Sequence, residues 1–561
     1  MARLRCVFPA PVLRFPVRLS VALLTICALA GCAQSSPQGP ADGGPAKPKV
    51  NRVVMAVTPP NVESNELRQM VQTELWALRP MYEYLIGVDV TTGKLQPQLA
   101  TRWSVEPDGR SWRFLLKEGV QFHRGYGEFT AEDVAYAWKD IVQEDSVPQY
   151  ATYYRALVEN VSPKGKYEVV FENRKPDGNF LQATSEREAG FEIRSKAHFA
   201  AAGVPGMAQA PLAGTGPYAF DSRQQGAYVR YKRTEGQHWR TTPDFPEFEF
   251  RWQKEASTRL AGLLAGETHV VGLPDDLLRQ AEQRGFKVKR APVAGLRTFI
   301  GLNCCFLTEP ANPASGYRHP TSPLLDVRVR RALNKAINRN EMNKAFFAGK
   351  AEVMVLNHFH PSRSGWNPEW ERQFAEEYGY NPEKAKQLLA EAGYGPGKPF
   401  QTNLHLTPAA GVSGSDDITE AVANYWRAVG VEVNLLTIDP VQRSQQARQF
   451  RYSNDANIVG TGSAQLLGVT FYNSGLQNQS TGVQDIEVNA ILQKIYLTLE
   501  EEKQEPLWRE LGNLMFKKHL NVQLFWLPAE VVYNSEIVSD YQFPGNITGL
   551  WTHVYNIKAA R

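Results

Sequence analysis

Leu29-Ala30-Gly31-Cys32 sets small residues directly before a cysteine. Cleavage after Gly31 would make Cys32 a new amino terminus with a free thiol, a nucleophile open to acylation. The other reactive side chains form no comparable grouping. The chain has no glycine-rich phosphate loop, no His-Glu-x-x-His helix and no Gly-x-Ser-x-Gly elbow. His358 and His360 make a His-x-His pair, and Cys304 and Cys305 stand together, but nothing in the spacing joins the two into a metal site. The 58 acids offer many carboxylate pairs, none in a recognisable hydrolase context. No metal, cofactor or catalytic residue is therefore expected.

The residues before Cys32 suit export. Residues 1–31 carry Arg3, Arg5, Arg14 and Arg18 and no acid, and the apolar run Leu19 to Ala30 has signal-segment length, too short to span a bilayer. The pattern resembles that of bacterial lipoproteins. It predicts a protein of the cell envelope, periplasmic or extracytoplasmic, held to a membrane by lipid on Cys32. Such a compartment has no ATP, which sets aside most energy-driven enzymology. Without the leader's four arginines the chain has 58 basic and 58 acidic residues, so the basic balance of the whole sequence supports no nucleic-acid partner. Ala33 to Lys49 is rich in Ser, Pro, Gly and Gln and reads as a tether averaging roughly 20–25 Å end to end. Adjacent cysteines rarely bridge, so two free thiols are the plainer expectation for Cys304 and Cys305, with a bridge between them left open.

Elements able to position a site follow from Asn51 onward. Arg52-Val53-Val54-Met55-Ala56-Val57 reads as a buried strand. Trp112, Phe114 and Leu116 alternate with polar neighbours, and Pro107-Asp108-Gly109 is turn chemistry, so Thr101 to Leu116 is predicted as a hairpin. Thr130-Ala131-Glu132-Asp133 is a capping box ahead of Val134, Ala137, Trp138 and Ile141 at helical spacing. Val329, Ala332, Leu333, Ala336 and Ile337 make one apolar stripe. Arg328, Arg330, Arg331, Lys335 and Arg339 fall mostly off it and read as a solvated face. Asn381-Pro382-Glu383 opens another helix, with Ala385, Leu388, Leu389 and Ala392 buried and Gly393 at its end. The mixed order of helices and strands indicates an α/β chain with discontinuous domains.

Several of these segments carry a resemblance. Leu95-Gln96-Pro97-Gln98-Leu99-Ala100-Thr101-Arg102-Trp103 continues through Lys117-Glu118-Gly119-Val120-Gln121-Phe122-His123 and Phe129-Thr130-Ala131-Glu132-Asp133-Val134. Gly214-Thr215-Gly216-Pro217-Tyr218, His238-Trp239-Arg240, Leu263 to Glu267, Asp326 to Leu333 and Asn381 to Tyr394 follow in order. Together they resemble the family 5 solute-binding proteins of ABC importers, the dipeptide, oligopeptide and nickel binders. The resemblance implies a two-lobed, type II periplasmic-binding-protein-like fold with an extra inserted domain. Domain I would combine 50–80, 190–295 and 525–561; domain II would be 81–189; domain III would be 296–524, after a leader (1–31) and tether (32–49). It also implies a monomer that encloses ligand between domains I and III and delivers it to ABC permease subunits.

Dipeptide-binding members hold the peptide amine with an acid in a loop after a late strand. The matching stretch here, Ile458 to Leu467, has none. They hold the carboxylate with an arginine after an earlier strand, and the matching turn, Thr407-Pro408-Ala409-Ala410-Gly411, has no base. An unpaired buried charge costs several kcal/mol or more, so a longer peptide, a neutral oligosaccharide or another small solute fits better, with Asp416 and Asp417 as possible substitutes for the acid. Gly460, Thr461, Gly462, Ser463 and Gln465 are predicted to contact ligand through backbone amides, hydroxyls and a side-chain amide. Glu66 and Asn303 are predicted from strand ends expected at the cleft. Trp426, with Trp366, Trp370 and Trp526, is a candidate for stacking on ligand or for the core. His123 is assigned a structural role. Two function classes follow: a lipid-anchored binding receptor of an ABC importer, or a secreted lipid-anchored hydrolase of peptides or glycans. A sensor or chaperone derived from such a receptor is a third.

Overall fold

The computed structural model describes residues 48–561 apart from 61, 71, 188–189, 203–211, 293–294, 310–311, 408, 410–411, 413, 463–482 and 545–551. Cys32, Ser463 and Gln465 lie outside the described residues, and Thr461 and Gly462 are described by their backbone alone.

The buried strand expected at the start of the folded chain, Arg52–Val57, lies inside a seven-stranded sheet. It pairs in parallel with Glu247–Trp252 on one side and Val270–Val271 on the other. Tyr228–Arg233 and Tyr218–Gln224 extend the sheet beyond Glu247–Trp252, while Glu530–Tyr533 and Lys287–Arg290 extend it at the other edge. Both faces of the Arg52–Val57 strand are covered, which is why its sequence is an unbroken apolar run rather than an alternating one. Val53, Met55 and Val57 enter a core with Phe248 and Phe250, and Trp76 meets Phe250 edge-on at 5.0 Å.

A second, six-stranded sheet runs Glu352–Val353, Asn521–Leu527, Leu296–Asn303, Asp455–Gly462, Gln401–Leu406, Glu432–Thr437. Ile300 and Leu302 pack against the helices Val327–Lys335, Pro382–Glu391, Ser415–Ala428 and Glu501–Lys518. The stripe Val329, Ala332, Leu333, Ala336 and Ile337 is buried as its spacing predicts. The arginine face is not wholly solvated. Arg330, Lys335 and Arg339 are buried, and the two guanidiniums each collect backbone carbonyl oxygens.

The third core belongs to a four-stranded sheet, Ala100–Val105, Trp112–Leu116, Glu168–Asn173, Val158–Gly165, with the helix Ala131–Ile141. The predicted hairpin is present, with Val105 opposite Trp112. Asp133 reaches back to the Thr130 N–H at 2.9 Å, the aspartate half of the capping box. His123 is structural as expected. It receives the Gly214 N–H on Nδ1 at 3.3 Å and its Nε2 lies 2.8 Å from the Gly216 carbonyl. Those glycines are needed where they stand: a Cβ on Gly214 would lie 1.8 Å from the Met81 carbonyl oxygen, and one on Gly216 2.6 Å from that of Pro80.

The cysteine expectation is corrected. Cys304 and Cys305 are joined by a disulfide in the turn that follows the Leu296–Asn303 strand. The turn can take the ring because Cys305 adopts a left-handed backbone, φ 60°, and Gln484 donates its N–H to the Cys305 carbonyl at 3.1 Å.

Candidate functional site between the two large sheets

Strand direction locates the site. In the first sheet Val57, Trp252, Val271 and Arg290 all end on one edge, because their strands run the same way through parallel pairing or through two antiparallel steps by way of Glu530–Tyr533. In the second sheet Gln401–Leu406 and Asp455–Gly462 are parallel, and Leu296 is paired with both Gly462 and Leu527. The chain crosses between the sheets twice, from Arg290 to Leu296 and from Leu527 to Glu530, with the Ala291 N–H donated to the Ala529 carbonyl at 2.9 Å. The carboxyl edges of both sheets therefore adjoin these crossings, which is where open α/β sheets take their ligands.

Gly460, Thr461 and Gly462 lie on this edge, opposite Thr298, Arg297 and Leu296. So does Thr407, which follows Leu406, and the exposed Asp416 and Asp417 open the helix beyond the same turn. Asn303 does not. Its strand runs antiparallel to Asp455–Gly462, so its carboxyl end points away from the crossings. Seven steps from Leu296 at about 3.3 Å each put Asn303 some 23 Å off, where its Nδ2 donates to Asn457 at 2.8 Å. Trp426 is fully buried on the helix Ser415–Ala428, and its indole N–H is donated to the Leu333 carbonyl at 3.1 Å. That is a core position. Trp370 is likewise buried, stacked on Phe516.

Glu66 is buried beside Arg68, and Arg68 in turn meets Asp140 of the Ala131–Ile141 helix at 3.3 Å. The Glu66 Oε1 accepts the Arg68 N–H at 3.1 Å, while Oε2 has no hydrogen-bond partner among the described residues. Burial raises this carboxyl above its ordinary range, against the lowering by the Arg68 N–H and by Arg194. On the same stretch Glu63 holds the Trp252 indole N–H at 2.8 Å and the Gly226 N–H at 2.9 Å, fastening the segment after Val57 to the sheet edge.

Two cations at the edge were not anticipated. Arg297, 1% exposed, sits opposite Thr461 and Trp526 and contacts His358 Nδ1. Arg363 lies over the Trp526 ring, 5.0 Å from its centre, and His360 meets the same ring at 5.4 Å. Burial, and then the charges of Arg297 and Arg363, hold the His358 imidazole neutral, well below its usual range. The visible signal was an arginine inside the otherwise apolar run Leu296-Arg297-Thr298-Phe299-Ile300. No group of three or more His, Cys, Asp or Glu is placed to hold a metal among the described residues.

Residues 94–480 match the family described as "Bacterial extracellular solute-binding proteins, family 5 Middle". The chain is similar to the dipeptide-binding protein of Escherichia coli, 29% identical over 310 residues, which is 52% of this chain and about half (54%) of that protein's length. It is 26% identical over 481 residues to heme-binding protein A of Haemophilus influenzae, covering 80% and 81% of the two chains. In fold it superposes on HbpA2 from Haemophilus parasuis with a TM-score of 0.73 at 22% identity, over 91% of this chain and 100% of the other. The fold is that of the type II periplasmic binding proteins, and the family is one of binding proteins rather than enzymes. The chain belongs to the bacterial extracellular solute-binding proteins of family 5.

Proposed function

We propose that the protein is the lipid-anchored substrate-binding component of an ABC importer, holding a peptide or other small solute between the two large sheets and passing it to permease subunits. The observation that carries this reading is the meeting of both carboxyl edges at two chain crossings. Two crossings make a hinge, and ligand contacts to both sides favour the closed arrangement. Gly460, Thr461 and Gly462 supply one wall. Arg297 and Arg363 bring positive charge to it, in place of the base missing from the turn after Leu406. An anionic group on the solute, such as a peptide carboxylate, suits that wall. Cys32 supplies the anchor, so the protein works outside the cytoplasm, as a monomer.

Native mass spectrometry of protein purified from its own host, followed by titration with the molecule found, tests the proposal. Saturable binding with a smaller radius of gyration in X-ray scattering, and no change in the ligand, is expected. Fragments appearing from incubated peptides or glycans would instead indicate a hydrolase. Replacement of Cys32 by Ala is expected to release the protein from the membrane fraction.

A further inference from the structure

The far end of the Leu296–Asn303 strand holds a cavity of about 380 Å³, walled by Cys305, Tyr317, Val327, Arg330, Gln484 and Lys517 among others. It is large enough for a small molecule. Seven strand steps, about 23 Å, separate Leu296 from Asn303, and Cys305 lies in the turn beyond, so the cavity is distinct from the edge where the sheets meet.

Its polar groups are unequally engaged. Lys518 is neutralised, reaching Asp485 at 2.7 Å and Glu487 at 2.6 Å. The remaining Asp485 oxygen accepts the Glu487 and Val488 N–H groups at the start of the next helix. Arg330, 8% exposed, donates Nε to the Lys518 carbonyl at 2.9 Å and Nη1 to those of Leu324 and Leu325 at 2.7 and 3.0 Å; its Nη2 makes none of these bonds. Gln484 spends its Oε1 on the Leu307 N–H at 2.7 Å, and its buried Nε2 has no hydrogen-bond partner among the described residues. Lys517 is exposed and makes no ion pair among them. Gln484 Nε2 is therefore a buried donor without an acceptor, which is costly. The charges around the cavity, Arg330, Lys517 and Lys518 against Asp485 and Glu487, leave one positive charge over. Around them stand Leu325, Leu520, Tyr317, Cys305 and Val327, which is 41% exposed.

We propose that this cavity is a second ligand site, taking a small organic acid whose single carboxylate meets Arg330 and Lys517 while its flat apolar part lies against Tyr317, Val327 and Cys305. A doubly charged phosphate is disfavoured by Asp485 beside it. The proposal is independent of what the interlobe edge binds.

The probe is 4-fluorobenzoate, titrated into the full mature chain at low salt and followed by ¹⁹F NMR line broadening, with neutral 4-fluorobenzamide as control. Saturable binding of the acid, about ten-fold tighter than the amide, is expected for a charge-assisted contact. Lys517→Glu, at an exposed position, is expected to weaken the acid about ten-fold, and Val327→Trp to abolish binding by filling the mouth. Absence of saturation, equal affinity for acid and amide, or indifference to both substitutions would each overturn the site.

Discussion

Buried cations are handled in opposite ways in two parts of this molecule. Where the four-stranded unit meets the first large sheet, Arg194 and Arg68 are both paired with Asp140, and Arg68 also meets Asp145 at 3.0 Å. Burial alone would lower Arg194, but Asp140, Tyr82 and Glu66 outweigh it and the group sits above its usual range. Behind the second sheet Arg330 and Arg339 have carbonyl oxygens for partners instead. Arg339 reaches those of Gln523, Asn334 and Tyr378 at 2.6, 3.1 and 2.9 Å, and burial pushes it down to about 10. Acids make a tight, self-contained lock between two units. Carbonyls stitch the ends of helices and strands together and leave positive charge over, which at Arg330 faces the cavity.

The largest expected effect is at the lock. Asp140→Ala leaves two guanidiniums buried without their shared carboxylate, and should cost about 3–5 kcal/mol in urea unfolding. Arg339→Met removes a cation but strands only neutral carbonyls, so about 2–3 kcal/mol is expected. Equal costs for the two would remove the distinction drawn between them.

Acid sharpens the same contrast through histidines. Burial depresses His123 to about 4, against the raising by the Gly216 carbonyl, and it depresses His519 to about 4 although Glu377 lies 3.4 Å away. With folded values below the unfolded 6.5, the unfolded chain binds more protons between pH 6.5 and 4, so stability is full above 6.5 and falls across that window. Each group contributes up to about 3 kcal/mol of that loss. Thermal unfolding across the range should show it, and His123→Asn should flatten the slope by its share while leaving that of His519.

Much of this was legible in residue patterns. The hairpin turn, the buried strand Arg52–Val57, the helix opened by the Asn381 side chain on the Lys384 N–H at 2.9 Å and the apolar stripe all follow from local periodicity and capping. What escaped depends on strand direction and on contacts distant in sequence. Asn303 ends a strand, but only pairing shows that the end points away from the crossings. Arg330 and Arg339 fit a solvated face by spacing, and the carbonyls that bury them come from positions as far away as Lys518 and Gln523. Trp239 and Arg240 were visible as a motif, yet their purpose, binding the buried Glu83 at 3.1 and 2.8 Å, was not.

The smallest effect concerns the disulfide. A crosslink stabilises chiefly by restricting the unfolded chain, and a ring closed between neighbours restricts almost none of it, about 1 kcal/mol at most on the loop-length relation. Reduction should therefore barely move the unfolding midpoint, far less than loss of Asp140. The reduced thiols would still be buried, since Cys304 and Cys305 are 0% and 4% exposed and pack with Leu324. The bond's consequence is local: it fixes the turn that Gln484 pins, where Cys305 lines the cavity. Unfolding with and without a phosphine reductant measures the first part. A midpoint shift comparable to that of Asp140→Ala would mean that the disulfide holds the second sheet's packing as a whole rather than one wall of one pocket.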